Sequence, residues 1–160
     1  MIQISPSLLS ADFSILDKEV KRITEAGADM LHLDVMDGRF VPNITFGAPI
    51  IKAIRKSSNI VFDVHLMIDE PIRYIDDFAK AGADYISFHA EATDKIEETL
   101  LRIKSHGVKA ALAQPIDALA GIFRNDGALK SELLPLGKTG VQRAHLGLIG
   151  NQKQFIHGSS

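Results

Sequence analysis

Two side chains that can hold a metal or move a proton, His32 and Asp34, sit two residues apart in the apolar run Leu31-His32-Leu33-Asp34-Val35-Met36-Asp37-Gly38. Side chains alternate faces along a strand, so residues i and i+2 look the same way. A strand over residues 30–34 therefore sets His32 and Asp34 on one face and Leu31 and Leu33 on the other. A buried histidine and aspartate on one face are costly unless they pair or bind something. The Met-Asp-Gly that follows, and Val41-Pro42-Asn43 beyond it, are turn chemistry and end the strand near Asp34. A second run, residues 60–66, repeats the spacing with Asp63 and His65. Two histidines and a carboxylate suit a divalent first-row metal. Asp63 fits either the same site or the cap of a helix.

The elements that must position these residues alternate. Residues 2–4 read as a short first strand stopped by Pro6, with Ser7 just beyond it. Leu16, Val20 and Ile23 recur at i, i+4 and i+7 with charges between them, which is the stripe of an amphipathic helix. That helix closes on Gly27, suited to a left-handed cap. After strand 30–34 come a short helix over 49–56 and strand 60–66. Asp69 is placed to cap the next helix, with Pro71 in its first turn and Ile75, Phe78 and Ala79 as its buried stripe. Ala81-Gly82-Ala83-Asp84 repeats Ala26-Gly27-Ala28-Asp29 letter for letter. Strand 85–89 follows, then a helix capped by Thr93 or Asp94 with Ile96, Leu100 and Ile103 inward, and a fifth strand over 108–113. Strand and helix recur about every thirty residues, the length of a βα unit. The fold class is α/β, a parallel sheet with helices outside, and the repeat favours a closed barrel.

In such barrels the chemistry lies at the C-terminal ends of the strands. Ser7, His32, Asp34, His65 and His89 all fall at or beside those ends. Taken alone, His89 reads as structural, Met36 and Met67 as core filler, and His106 as a helix-end charge facing the dipole. His145 and His157 have no context. Beyond residue 113 the alternation stops: 115–123 suits one more helix, Asn125-Asp126-Gly127 a turn, and 128–160 shows no pattern.

Bulk properties exclude several classes. The net charge of −2 gives no footprint for nucleic acid or an anionic membrane. Cysteine is absent, so there are no disulfides or thiolate sites. The first residues lack a signal-peptide pattern, and no apolar run approaches membrane-spanning length. The expected location is cytoplasmic.

Five motifs carry a resemblance: Ser5-Pro6-Ser7-Leu8-Leu9-Ser10-Ala11-Asp12-Phe13, His32-Leu33-Asp34-Val35-Met36-Asp37-Gly38, Phe40-Val41-Pro42-Asn43-Ile44-Thr45-Phe46-Gly47, His65-Leu66-Met67 and Phe88-His89-Ala90-Glu91-Ala92. From residue 2 to about residue 113 the chain resembles the ribulose-phosphate 3-epimerase family. The resemblance implies a (β/α)₈ TIM barrel of the pentose phosphate pathway that interconverts D-ribulose 5-phosphate and D-xylulose 5-phosphate. It implies His32, Asp34 and His65 as ligands of a divalent metal (iron, zinc, manganese or cobalt), and Asp34 also as the proton carrier. Ser7 and His65 would contact substrate, and Met36 and Met67 would line the site, which replaces their core-filler reading. The C3 proton of a 2-ketose is α to a carbonyl, so Lewis-acid help and a carboxylate base suit its removal.

Inversion also needs an acid on the opposite face. The family supplies it from a Val-Asp-Gly-Gly type motif, which this sequence lacks, as it lacks the glycine-rich phosphate loops. At 160 residues, against about 250 for a full barrel, the expected architecture is a TIM-type barrel truncated to about five βα units. Residues 1–115 would be the barrel part and 116–160 an irregular tail. The expected partner is a small-molecule ketose phosphate, with no nucleic acid and no membrane, and a homo-oligomer is allowed. The rivals are a catalytically inactive truncated or chimeric barrel fragment and a 3-epimerase for another ketose phosphate such as allulose 6-phosphate.

Overall fold

The apolar and polar residues of the strand runs separate onto two faces, and that separation builds the molecule. A computed structural model describes residues 2–113. In chain order it shows α1 (Leu16–Glu25), β1 (Met30–Met36), α2 (Ala48–Arg55), β2 (Val61–Met67), α3 (Ile75–Ala81), β3 (Tyr85–His89), α4 (Ile96–Ser105) and β4 (Lys109–Ala113). The strands form one sheet in the order β1-β2-β3-β4. The β1–β2 and β2–β3 ladders are parallel. This is the α/β alternation expected of a (β/α) barrel, and Ile4–Leu112 form one compact unit.

One face of the sheet carries Leu31, Leu33, Val35, Phe62, Val64, Leu66, Ile86 and Phe88. They pack with Val20, Ile51, Ile54, Ile75, Phe78 and Ile103 from the helices. Burying each such side chain contributes roughly 1.5–3 kcal/mol, so this layer holds the helices to the sheet. The opposite face carries the polar residues.

The Ala-Gly-Ala-Asp repeat has one structural meaning in both places. Gly27 and Gly82 sit at φ 85° and 102°, left-handed values that end α1 and α3. The aspartate that follows clasps a residue of the preceding extended segment from both sides. The Asp29 amide donates to Ile4 O (3.0 Å) and the Ile4 amide donates to Asp29 Oδ2 (2.7 Å). The Asp84 amide donates to Phe62 O (3.0 Å) and the Phe62 amide donates to Asp84 Oδ2 (2.8 Å).

The expected first strand is not formed. Residues 2–4 run extended ahead of a 3-10 turn at Leu8–Ser10, joined to β1 by a single bridge, Ser7↔His32. Pro6 accepts from the His32 amide (2.9 Å) but has no N–H to return, so the ladder breaks. Ile2 and Ile4 remain 90% and 60% exposed. The described chain therefore holds four strands and an extended lead-in rather than five strands. Asp69 does not cap α3, which follows a separate 3-10 turn at Pro71–Arg73; its carboxylate pairs instead with Arg39 (2.9 Å). Thr93 closes a turn before α4, accepting from the Lys95 amide (3.2 Å). His106 does more than face a dipole. Its Nε2 lies 2.7 Å from Asp76 Oδ1, and Arg102 bonds both oxygens of the same carboxylate, so Asp76 links α3 to the end of α4.

Candidate metal centre

The polar face acquires its chemistry from the register of β1 against β2. His32 lies opposite Asp63, Asp34 opposite His65, and Met36 opposite Met67. Two i, i+2 pairs on neighbouring strands thus become a block of four. His32 Nε2 is 3.2 Å from Asp34 Oδ1, and His32 Nδ1 is 2.8 Å from Asp63 Oδ2. His65 Nδ1 is 3.6 Å from the same Asp34 Oδ1. The Ser7 hydroxyl, brought in by the lead-in segment, donates to Asp34 Oδ2 at 2.5 Å. On the β3 side, His65 Nε2 lies 2.9 Å from His89 Nε2, with the rings stacked at 5.0 Å.

All four side chains of the block are buried, so their charges must be compensated. Burial works to push the His32 imidazole down. Its hydrogen bonds to Asp34 and Asp63, backed by their charges, overcome this and raise it from 6.5 to about 10. Burial likewise pushes Asp34 up, and its bonds to His32, His65 and Ser7 hold it far below the usual carboxylate range instead. Asp34 is an ionised carboxylate across the physiological range. His89 goes the other way, lowered by burial.

The donor set fits a divalent cation. One ligand atom from each of His32, Asp34 and His65 lies within 4.8 Å of the others. Asp34 Oδ1 is the oxygen both rings approach. Asp63 accepts at His32 Nδ1 and leaves Nε2 toward Asp34, the carboxylate–imidazole arrangement that orients a metal-binding histidine.

The rim is built by loops. The Asp37 carboxylate accepts from the amides of Arg39 (2.8 Å), Phe40 (3.0 Å) and Asp69 (2.8 Å), so one side chain ties the loop after β1 to the loop after β2. Those bonds hold it below the ordinary aspartate value against the upward push of desolvation. Gly38, at φ 75°, leaves no room for a Cβ, which would meet Ile44 Cγ1 at 2.8 Å. The loop lays Phe40 on His89, ring centroids 5.0 Å apart. Thr45 donates to Asp34 O (2.7 Å) and accepts from the Met36 amide (3.0 Å), closing the loop on the strand. A cavity of about 420 Å³ between Met36, Phe46, Tyr74 and Phe78 lies apart from this cluster and contains none of its three donors.

The model of the ribulose-phosphate 3 epimerase family matches residues 3–124. The chain belongs to that family. Among its relatives, the ribulose-phosphate 3-epimerase of Bacillus subtilis (strain 168) is 50% identical over 127 residues, 77% of this chain and 58% of the relative. That of Synechocystis (strain PCC 6803) is 53% identical over 124 residues, 74% of this chain and 54% of the relative. The chloroplastic ribulose-5-phosphate-3-epimerase of Arabidopsis thaliana is 50% identical over 113 residues, 69% of this chain and 40% of the relative. The chain spans about half the length of the curated relatives it matches. A solved structure of Yersinia pestis DHPS with a pterine-sulfa conjugate is similar in fold alone, at TM-score 0.53 and 14% identity over 89% of this chain and 52% of that one.

In this epimerase-family chain the structure brings together the residues that the sequence singles out. His32, Asp34 and His65 converge, Ser7 joins them through Asp34, and Met36 and Met67 meet as ladder partners. His89, read alone as structural, is in contact with His65. Asp63 proves to be the partner of His32; its place two residues before His65 was the available signal. The roles of Asp37 and Phe40 in shaping the rim carried no local signal, since both depend on loops from different strands. His145 and His157, the helix over 115–123, the turn at 125–127 and the tail 116–160 lie outside the described residues.

Proposed function

We propose that this chain serves the interconversion of D-ribulose 5-phosphate and D-xylulose 5-phosphate by proton transfer at C3, a step of the pentose phosphate pathway. The observation that carries the reading is one buried carboxylate, Asp34, shared by His32, His65 and Ser7. His32, Asp34 and His65 would hold a divalent cation, with iron, zinc, manganese and cobalt all suited to such ligands. When bound, that cation supplies Lewis-acid stabilisation of the negative charge that develops on a ketose oxygen.

The remaining work belongs to the chain. Asp34 Oδ1 faces the two imidazoles, which leaves Oδ2, held by the Ser7 hydroxyl, as the oxygen that takes the C3 proton. Ser7 then has two tasks, orienting Oδ2 and meeting the substrate. Asp63 fixes the His32 ring. His65 contacts substrate beside Asp34, and Met36 and Met67 give that space an apolar wall, which keeps water from the carbanion-like carbon. Inversion needs an acid on the opposite face. Among the described residues the cluster offers no carboxylate beyond Asp34 and Asp63, and Asp63 is bonded to His32. The described residues thus supply the proton-abstracting half of the reaction.

Residues 1–115 are read as part of a barrel that binds a small ketose phosphate, and 116–160 as a separate segment. A cytoplasmic location and assembly with further copies suit such an enzyme. No helix among the described residues is long and apolar enough to cross a membrane.

The test follows C3 of D-ribulose 5-phosphate by NMR in deuterated water with the metal-loaded chain, and allulose 6-phosphate in parallel. Exchange with inversion supports the full reading. Exchange without inversion restricts the chain to the Asp34 half-reaction, and no exchange on either sugar sinks the proposal.

A further inference from the structure

The rings beside Asp34 are held from outside the sheet. His65 stacks on His89, and Phe40 in turn lies on His89, each pair 5.0 Å apart between ring centroids. Phe40 belongs to the loop after β1, whereas His89 ends β3, and β2 lies between those strands. Strand pairing therefore does not bring Phe40 and His89 together; the loops must.

Residues 37–44 form a small hairpin, closed by the Asp37↔Ile44 bridge and by the Gly38 amide donating to Asn43 O (2.8 Å). Those bonds fix its shape but not its tilt over the sheet. The tilt is set from the loop after β2, because Asp37 divides its two oxygens. Oδ1 takes the hairpin's own amides, those of Arg39 and Phe40, and Oδ2 takes the amide of Asp69. The next amide, of Glu70, donates to Ala92 O (3.1 Å), three residues beyond His89. Successive amides of one dipeptide thus hold the two loops that carry the two rings. The Arg39–Asp69 ion pair runs alongside, but it is exposed on both sides and contributes little.

Glu70 adopts φ 49° and ψ 58°, and among the described residues it is the one non-glycine in the left-handed region. There its carbonyl accepts from the Arg73 amide (3.1 Å) while its own amide faces Ala92. Backbone strain of this kind persists where the surroundings over-determine it, and it gathers at functional sites.

We propose that Asp37, Asp69 and Glu70 form a fixed strap across the mouth of the site, which seats Phe40 on His89 and so holds His65 in place beside Asp34. Asp37 and Glu70 are positioning residues that act through the rings they hold. The strap is a wall already closed, not a lid that substrate must draw shut. Its effect on proton transfer rests on the reading under Proposed function; the seating of Phe40 stands on the hydrogen bonds alone.

The experiment has two readouts on the full chain. In the metal-free protein, nuclear Overhauser effects between the Phe40 and His89 ring protons, assigned with Phe40→Leu, report the seating. In the metal-loaded protein, C3 exchange of D-ribulose 5-phosphate reports its consequence. Asp37→Asn keeps Oδ1 for the hairpin and sets an NH₂ group against the Asp69 amide, donor against donor. It should retain the amide spectrum of β1 and β2 and lose the ring–ring effect. Its C3 exchange should slow about 10- to 100-fold, the cost of a misplaced reacting group. Glu70→Val is barred from the left-handed region and should lose the ring–ring effect likewise. Glu70→Gly enters that region freely and should keep it. If Asp37→Asn does not fold, the two Glu70 variants decide. A ring–ring effect missing from the parent, unchanged in Asp37→Asn, or lost equally in Glu70→Gly and Glu70→Val overturns the strap. Loss of the effect with exchange at the parent rate overturns the positioning role. A parent that exchanges no C3 proton overturns the catalytic reading instead, and the ring measurement then decides the strap by itself.

Discussion

Where the strands begin, Asp29 and Asp84 bond backbone amides of Ile4 and Phe62; where they finish, Asp34 and Asp63 bond histidine rings. Arg55 belongs to the first region. Its guanidinium bonds the carbonyls of Ser58 and Ile60, reaches Gly82 O and Asp84, and lies 3.7 Å over the Phe62 ring. Those partners are the turn before β2, β2 itself and the turn before β3. The same residue types are thus used for two ends: at the start of the strands ionised groups tie backbone to backbone, and at their finish they tie side chains into a unit that can bind and exchange protons. A barrel-type sheet allows this because the loops at one end can be committed to stability while the other end carries function.

That division can be broken by experiment. The largest effect is expected for Asp34→Asn, which should lower C3 proton exchange by about 10³-fold, within the range for loss of a general base. An Asp34→Asn chain that exchanges C3 normally removes this residue from the chemistry; one that fails to fold removes the division. Next is Arg55→Ala, expected to cost about 3 kcal/mol by denaturant unfolding, since charged hydrogen bonds to buried carbonyls and a face-on ring contact are lost together. Cobalt affinity of the folded chain should not change.

The glycines of the repeat give a finer comparison. Gly27→Ala meets open space and carries only the left-handed backbone cost, roughly 1 kcal/mol. Gly82→Ala carries the same cost and drives its Cβ to 2.6 Å from Arg55 Cδ, so its loss should be roughly 2 kcal/mol. Equal losses would mean that Arg55 moves aside freely and is not a latch.

A further test distinguishes the two ends by pH. The folded value of His32 is raised from 6.5 to about 10. Its contribution is therefore complete below 6.5 and is lost as the pH climbs toward 10. Melting of the metal-free chain should fall across that window, and His32→Asn should flatten the slope. A parent chain with a flat profile would mean that the ring is not held as a cation between Asp34 and Asp63.

Much of this arrangement is legible in the chain because a strand has period two. His32 with Asp34, and Asp63 with His65, share faces by spacing alone, and the helices announce themselves by their stripes. What spacing does not contain is the sliding of one strand against another. Nothing local to residues 30–36 says that His32 meets Asp63 and not Val61; the α2 crossover and the packed outer face decide it. The missing first strand has a different cause, the absent amide of Pro6, which outweighs the apolar character of Ile2 and Ile4. The same limit hid the bond from His106 to Asp76, thirty residues apart, and the clasp made by each Ala-Gly-Ala-Asp. The repeat was visible as letters, but its partners were not.

The pairing of β1 with β2 bears on how the chain folds as well as on what it binds. The donor atoms come from strands about thirty residues apart, joined only through α2. Such non-local parallel contacts form late, after the crossover has closed its loop. Neither strand alone presents the three-residue cluster, and a slip of one residue replaces every inward polar group with an aliphatic one. A cation that reports on the site is therefore a clock for one event in refolding: its signal should rise with the in-register closure of the β1–α2–β2 unit and lag behind the helical signal.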